Sequence, residues 1–190
     1  MPLFGPDEDA VRSEAQEAID AFPDRYEAAW LAGMRRKLGL AEARDGDRAL
    51  AQDLLDRMAE NGADFTLTFR HLSDAEGPGA GPDADAAIRS LFKEPAAFDT
   101  WATRWRQRLA EERRDAAGRR AAMRAANPAF IPRNHLVEEA IRAAVDAADF
   151  APFNELMTVL ALPNDYQPAF ARYTEPPRPN QVVRETFCGT

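Results

Sequence analysis

The sequence predicts an all-α protein, an irregular helical bundle in two halves with an extended, proline-rich C-terminal tail. Three observations lead there. Apolar residues recur at steps of three and four along nearly the whole chain. Period-two alternation bounded by turn residues is almost absent. Glycine and proline fall mainly between the periodic stretches, where they cap or separate helices.

A first helix is expected over residues 7–21, with acids at its start where the helix dipole favours them, and Pro23 punctuates the chain after it. From Asp24 as N-cap, Tyr26, Trp30, Met34 and Leu38 share one face of a second helix that Gly39 ends. A third opens after Asp47, aligns Leu50, Leu54 and Met58, and stops at Asn61-Gly62. Asp64 caps a short fourth helix presenting Phe65, Phe69 and Leu72. The run Gly77-Pro78-Gly79-Ala80-Gly81-Pro82 then frees the backbone and prevents a helix from crossing it.

Helix returns over residues 84–92, and after Pro95 a longer one carries Phe98, Trp101, Trp105 and Leu109 as a core stripe. Asn127-Pro128 interrupts the arginine-rich stretch that follows. With Asn134 as N-cap, Val137, Ile141, Ala144 and Val145 form one apolar face, and Phe153, Leu156, Met157 and Leu160 form another on a last helix. Five prolines between 163 and 179 then impose an extended path. The chain divides accordingly into a first helical half (1–75), a linker (76–83), a second helical half (84–162) and a tail (163–190) that carries Cys188.

Composition narrows the function. A net charge of −8 opposes attraction to nucleic-acid phosphates or anionic lipid. No stretch approaches the ~20 apolar residues of a membrane span, and residues 1–9 are rich in proline and acid where a signal peptide is basic and then apolar. We therefore expect no nucleic-acid partner, no membrane and a cytoplasmic location. The single cysteine, Cys188, cannot close a disulfide within the chain.

Catalytic patterns are missing. There is no GxxxxGK[ST] and no GxGxxG after a strand to cradle phosphates. His71 and His135 are the only histidines, lie in different halves, belong to no HExxH or Cys/His cluster, and read as structural or surface residues. The adjacent acids Glu111-Glu112 and Glu138-Glu139 diverge by about 100° on a helix and read as solvated faces. The arginines from Arg104 to Arg124 form either a solvated face or a surface that docks a protein. No catalytic, cofactor-binding or metal-ligating residue is assigned. Cys188, third from the end beside Gly189 and Thr190, is the one candidate for chemistry, as a thiol open to disulfide exchange.

Four stretches in order carry a resemblance: YEAAWLAGMRRKLGL at 26–40, ADFTLTFRHLS at 63–73, FDTWATRWRQRL at 98–109 and NPAFIPRNHLVEEAI at 127–141. It continues through FNELMTVLALPNDYQP, YTEPP and the terminal Phe187-Cys188-Gly189-Thr190. Together they resemble the C-terminal part of the selenoprotein O family of kinase-like protein adenylyltransferases. The resemblance implies the C-terminal helical part of a protein-kinase-like fold. It also implies an activity for the whole enzyme, transfer of AMP from ATP, with Mg or Mn, to protein Ser, Thr or Tyr hydroxyls. The family's catalytic and metal-binding residues lie in a kinase-like core that precedes the matched region, so none is carried over.

The chain then reads as a fragment, a split gene product or an excised domain whose partners are that core and, through it, the protein substrates. Cys188 occupies the place of the family's terminal cysteine or selenocysteine, which can pair with a cysteine of the core. The sequence departs from the family at Pro177-Arg178-Pro179-Asn180, where relatives carry Pro-Asp-Trp-Gly, and at Gly189-Thr190, where Ser-Ser is usual. The alternative reading is a free-standing helical interaction module without enzymatic activity; an in-frame kinase-like core upstream in the genome separates the two.

Overall fold

A computed structural model of the chain describes residues 8–75 and 85–185, so the linker at 76–83 and Cys188 lie outside the described residues. Among the described residues there are eight α-helices and two short 3-10 turns, and no strand. The architecture is an irregular, all-α bundle, as the periodicity predicts.

Helix α1 (Glu8–Leu38) runs straight through Pro23, where the sequence reading placed a break. Pro23 removes its own N–H and frees the carbonyl of Ile19, a cost usually decisive inside a helix. Here the helix is exposed on both sides of the proline, so water can take the freed carbonyl. Only the C-terminal end of α1 enters the core. Gly39 then turns the chain at φ 76°, and a Cβ there would stand 2.7 Å from Met123 Sδ, so both conformation and space require glycine.

Helix α2 (Asp47–Asn61) buries Leu50, Leu54 and Met58 and ends at Gly62 in the left-handed region, its last carbonyls answered by Gly62 and Ala63 N–H groups. Asp64 caps α3 (Phe65–Leu72) by accepting from the Leu67 N–H at 2.8 Å. The helix expected over 84–92 shrinks to one turn, α4 (Ala86–Arg89), because the Ser90 hydroxyl bonds back to Ala87 O and Pro95 lies five residues on.

Helix α5 (Pro95–Ala110) supplies the centre. Phe98, Trp101, Trp105 and Leu109 are all buried, the two indole rings stack 5.5 Å apart, and their N–H groups donate to Leu50 O and Leu38 O at 2.9 Å each. Helix α6 (Ala116–Ala126) is absent from the sequence reading, which saw only an arginine-rich stretch. Its signal was Asp115, whose carboxylate caps the Gly118 N–H at 2.6 Å ahead of an alanine-rich run.

These six helices share one apolar cluster running from Met34 to Met123, which draws on both sides of residues 76–84. A second, smaller cluster joins Ala129, Phe130, Leu136, Leu156, Val159 and Tyr173. It lies between α7 (Asn134–Ala147), α8 (Ala151–Leu160) and the 3-10 turn Pro168–Thr174. Helix α7 takes Arg133, not Asn134, as its N-cap. The apolar faces expected on α7 and α8 are only half used: Val137 and Leu156 pack inward, while Ile141, Val145, Phe153 and Met157 are exposed. The periodicity was correctly read, but nothing among the described residues covers the ends of those stripes. The tail is pinned as it leaves α8, where Pro163 O accepts from the N–H groups of Ala129 and Phe130 at 2.8 and 3.0 Å.

Candidate functional site

The arginines from Arg104 to Arg124 divide: Arg113, Arg114 and Arg120 are exposed, as a solvated face would have them, while others are drawn into ion pairs or the interior. Arg108 is sunk between Asp47 and Glu112, at 2.8 and 2.7 Å, and Arg106 closes on Asp85 at 2.5 Å. Arg104 pairs with Asp53, and Arg119 is buried. Asp47 is the hub. It is 1% exposed and accepts from Arg35 Nε at 2.7 Å, Arg108 Nε at 2.8 Å and the Arg44 N–H at 2.9 Å. Burial alone would raise its carboxyl pKa, but the bonds from Arg108, Arg44 and Arg35 outweigh burial and hold it below the usual carboxylate range.

Glu112 also departs from the expected solvated face. It turns back to accept the backbone N–H groups of Ala41 and Glu42 at 3.0 and 3.3 Å, which ties the loop before α2 to the end of α5. Its neighbour Glu111 stays half exposed and pairs with Arg44 at 3.0 Å. Neither acid lies in a helix, since α5 ends at Ala110 with Glu111 as its C-cap, so the helical spacing expected of the pair does not apply and tertiary packing alone turns Glu112 into the protein.

The motifs ADFTLTFRHLS and NPAFIPRNHL meet in space. Arg133 grips the Asp64 carboxylate with both terminal nitrogens at 2.8 and 3.1 Å, and the Asn127 side chain donates to Ser73 Oγ at 3.0 Å and Lys37 O at 2.9 Å. Arg70 donates to Asn127 O at 3.1 Å and Asn164 O at 3.0 Å. Asp64 therefore does two tasks at once, capping α3 and anchoring the segment that leads into α7. Burial again works against its charge, and the bonds from Arg133 and Leu67 prevail and lower its pKa. These polar links join the two apolar clusters.

A cleft of about 970 Å³ opens beside this joint, lined by Arg70 and His71 of α3, Asp74 just after it, Arg124 of α6, and Asp165, Tyr166 and Glu175 of the tail. Its charges are largely spent internally, since Arg124 holds Asp74 at 2.5 Å and Arg70 is committed to carbonyls. Burial lowers the His71 pKa, with Asp74 opposing and Arg70 reinforcing the shift, so the imidazole favours its neutral form. Lys37 lies over the Phe65 and Phe69 rings at 5.6 and 5.4 Å, and its pKa is lowered by burial and then by Arg36. Both its hydrogen bonds go to Ala126 O and Asn127 Oδ1, which leaves it a packing and bridging group.

His135 stands apart from His71 on α7 beside Arg133 and Glu139, and burial followed by Arg133 lowers its pKa. Tyr173 closes the second cluster, accepting from Arg172 at 2.6 Å and donating to Glu155 at 2.8 Å, its pKa pushed up to about 12 by burial and then by Glu155. Among the described residues no three His, Cys, Asp or Glu side chains gather to hold a metal ion, and no helix is long and apolar enough to cross a membrane. What the geometry brings together is a set of joints between helices. Cys188 lies outside the described residues.

The family model described as "Protein adenylyltransferase SelO" matches residues 10–161. The chain belongs to this family. It is 56% identical over 190 residues to the "Protein nucleotidyltransferase YdiU" of a Bradyrhizobium species, covering 100% of this chain and 38% of that protein. A relative of the same description from Methylorubrum extorquens is 58% identical over 193 residues, with 100% of this chain and 39% of that protein covered. One from Rhodopseudomonas palustris is 55% identical over 190 residues, with 100% and 38% covered. The chain thus spans less than two fifths of the length of these family members, all of them bacterial. The family is one of enzymes, and two of the motifs that carry the resemblance, at 63–73 and 127–141, build the joint between the clusters.

Proposed function

We propose that the chain is the C-terminal helical region of a SelO-type protein adenylyltransferase, which supports a kinase-like core and presents Cys188 as a redox-sensitive thiol. The observation that carries this reading is the pairing of full-length similarity on this side with coverage of only 38% on the relative's side. A family enzyme then has about three fifths of its length beyond this region. The whole enzyme transfers AMP from ATP, with Mg or Mn, to hydroxyls of protein substrates in a bacterial cytoplasm. The described residues do not fit ATP or its metal: Asp74 at the cleft is bound to Arg124, and no three metal-ligating side chains gather among the described residues. The region's work is mechanical, holding the end of α1 and α2 to α6 as one unit through the indole pair and the Asp47 hub, with α7, α8 and the tail attached through the Asp64–Arg133 joint.

The test is a chimera in which this chain replaces the matching segment of the Bradyrhizobium relative. AMP transfer is followed from ATP labelled at its α-phosphate. The chimera should transfer label to protein, and deletion of the segment should lower transfer by about tenfold or more, a loss of at least ~1.4 kcal/mol of transition-state stabilisation. Full activity after deletion would remove the supporting role. For Cys188, thiol–disulfide exchange with an oxidised small-molecule disulfide should link it to a cysteine of the core, the two protein thiols giving up two protons and two electrons to that disulfide. Non-reducing gels of the chimera should show a faster-migrating, internally linked band that Cys188→Ser abolishes; identical mobility in both would exclude the linkage.

A further inference from the structure

Residues 9–29 of α1 contain no buried position, whereas Met34 and Leu38 at the other end are sealed in the first cluster and Trp30 packs against it. The helix does not turn polar where its packing stops. Ile19, Phe22, Tyr26, Trp30, Met34 and Leu38 follow at steps of three and four, so each neighbours the next on a stripe that winds round the helix by about 40° per step of four. Half of the stripe is core and half is in solvent, with Ile19 and Phe22 each 64% and Tyr26 60% exposed. The rings of Phe22 and Tyr26 already stack, their centroids 6.0 Å apart. An isolated helix of some twenty residues is marginal in water, and Pro23 takes away one of its backbone hydrogen bonds. Such a segment gains its stability from a surface that covers the apolar stripe.

Charge and length indicate what covers it. Residues 9–29 carry six acids and two arginines, so two such helices laid stripe to stripe would line the seam with like charges. A partner with basic flanks avoids that repulsion. Family members extend well beyond this region, which accounts for 38% of the Bradyrhizobium relative. We propose that the stripe of Ile19, Phe22 and Tyr26 docks into an apolar groove rimmed by lysine or arginine on the remaining part of the family's enzyme. Phe22 and Tyr26 fill the groove as aromatic anchors, and the acids beside them meet its rim. The proposal rests on the proposed function, because its occupant is the part of the enzyme that this chain supports.

Amide hydrogen exchange on the isolated 190-residue chain and on the chimera reads the docking directly. Residues 9–29 should exchange freely in the isolated chain and about a hundredfold or more slowly in the chimera. In the chimera, Phe22→Ser with Tyr26→Ser should return that segment to fast exchange while α2 and α5 keep their protection; both positions are exposed in the isolated chain, so its fold should tolerate the change. Equal, fast exchange of residues 9–29 in the isolated chain and the chimera would overturn the proposal. So would protection in the isolated chain that grows with concentration alongside a dimer mass, since the occupant would then be a second copy. AMP transfer measured on the same chimera separates the two claims. A covered stripe without transfer fails only the functional reading, and transfer with an uncovered stripe fails only the docking.

Discussion

Asp47→Asn is the sharpest perturbation of the bundle, because it keeps size and shape while removing the charge on which three donors converge. Arg35, Arg108 and the Arg44 N–H all point at this carboxylate, whose side chain is fully enclosed. Removing one partner of a buried ion pair typically costs about 3–5 kcal/mol, since the other charge stays buried. Two features pull the value to the low end: Arg35 is 21% exposed at its side chain, and Arg108 keeps Glu112 at 2.7 Å. A loss of about 3 kcal/mol is expected, which for a chain of this length corresponds to a fall of roughly 6–12 °C in Tm. Urea unfolding of both proteins, followed by circular dichroism, measures it.

The pH dependence gives a second reading of the same variant. The folded Asp47 carboxyl titrates below its unfolded value, so the unfolded chain binds its proton first as pH falls. Its stabilisation is complete above the unfolded pKa of ~3.9 and disappears as pH drops through the lowered folded value. Wild type and Asp47→Asn should therefore differ by the full amount at pH 7 and converge in acid. A difference below about 1 kcal/mol at pH 7, or one that persists unchanged into acid, would refute the assignment of Asp47 as a charged hub.

Further outcomes follow from single contacts. Gly39→Ala should destabilise by more than ~1 kcal/mol in thermal melts, because φ 76° and the 2.7 Å approach of Met123 Sδ both oppose a Cβ. Trp105→Phe keeps a ring in the core but leaves Leu38 O without its 2.9 Å donor, and should cost about 1–3 kcal/mol. Thr68→Val should be neutral or raise stability by up to ~1 kcal/mol, since the buried Thr68 hydroxyl has no hydrogen-bond partner among the described residues. For His71, burial lowers the folded pKa, so the unfolded chain takes up a proton first and stability should decline as pH falls from ~6.5 through the lowered value. His71→Gln should flatten that part of the stability-against-pH curve.

The bundle was legible where a residue's local preference and its tertiary role coincide. Asn61-Gly62, Asp64 and the Phe98–Trp101–Trp105–Leu109 stripe each carry one unambiguous signal, and each appears as read. Pro23 was misread because its penalty assumes a helix whose carbonyls are shielded, and sequence does not say that α1 lies open there. Helix α6 was hidden by its arginines, which suggest a solvated face although Arg119 is buried. The ion pairs were not legible at all, because Asp47 meets Arg108 and Asp64 meets Arg133 across 61 and 69 residues of sequence. The stripes of α1, α7 and α8 were read rightly as apolar, but periodicity cannot tell whether the covering surface belongs to the same stretch of chain.

The proposed role of this region is to support catalysis without performing it. Label transfer from α-phosphate-labelled ATP by the isolated chain, with Mg or Mn and a protein acceptor, beside the chimera at equal concentration, tests it most directly. Labelled protein is expected from the chimera and none above background from the isolated chain. Robust, metal-dependent transfer by the isolated chain would contradict it.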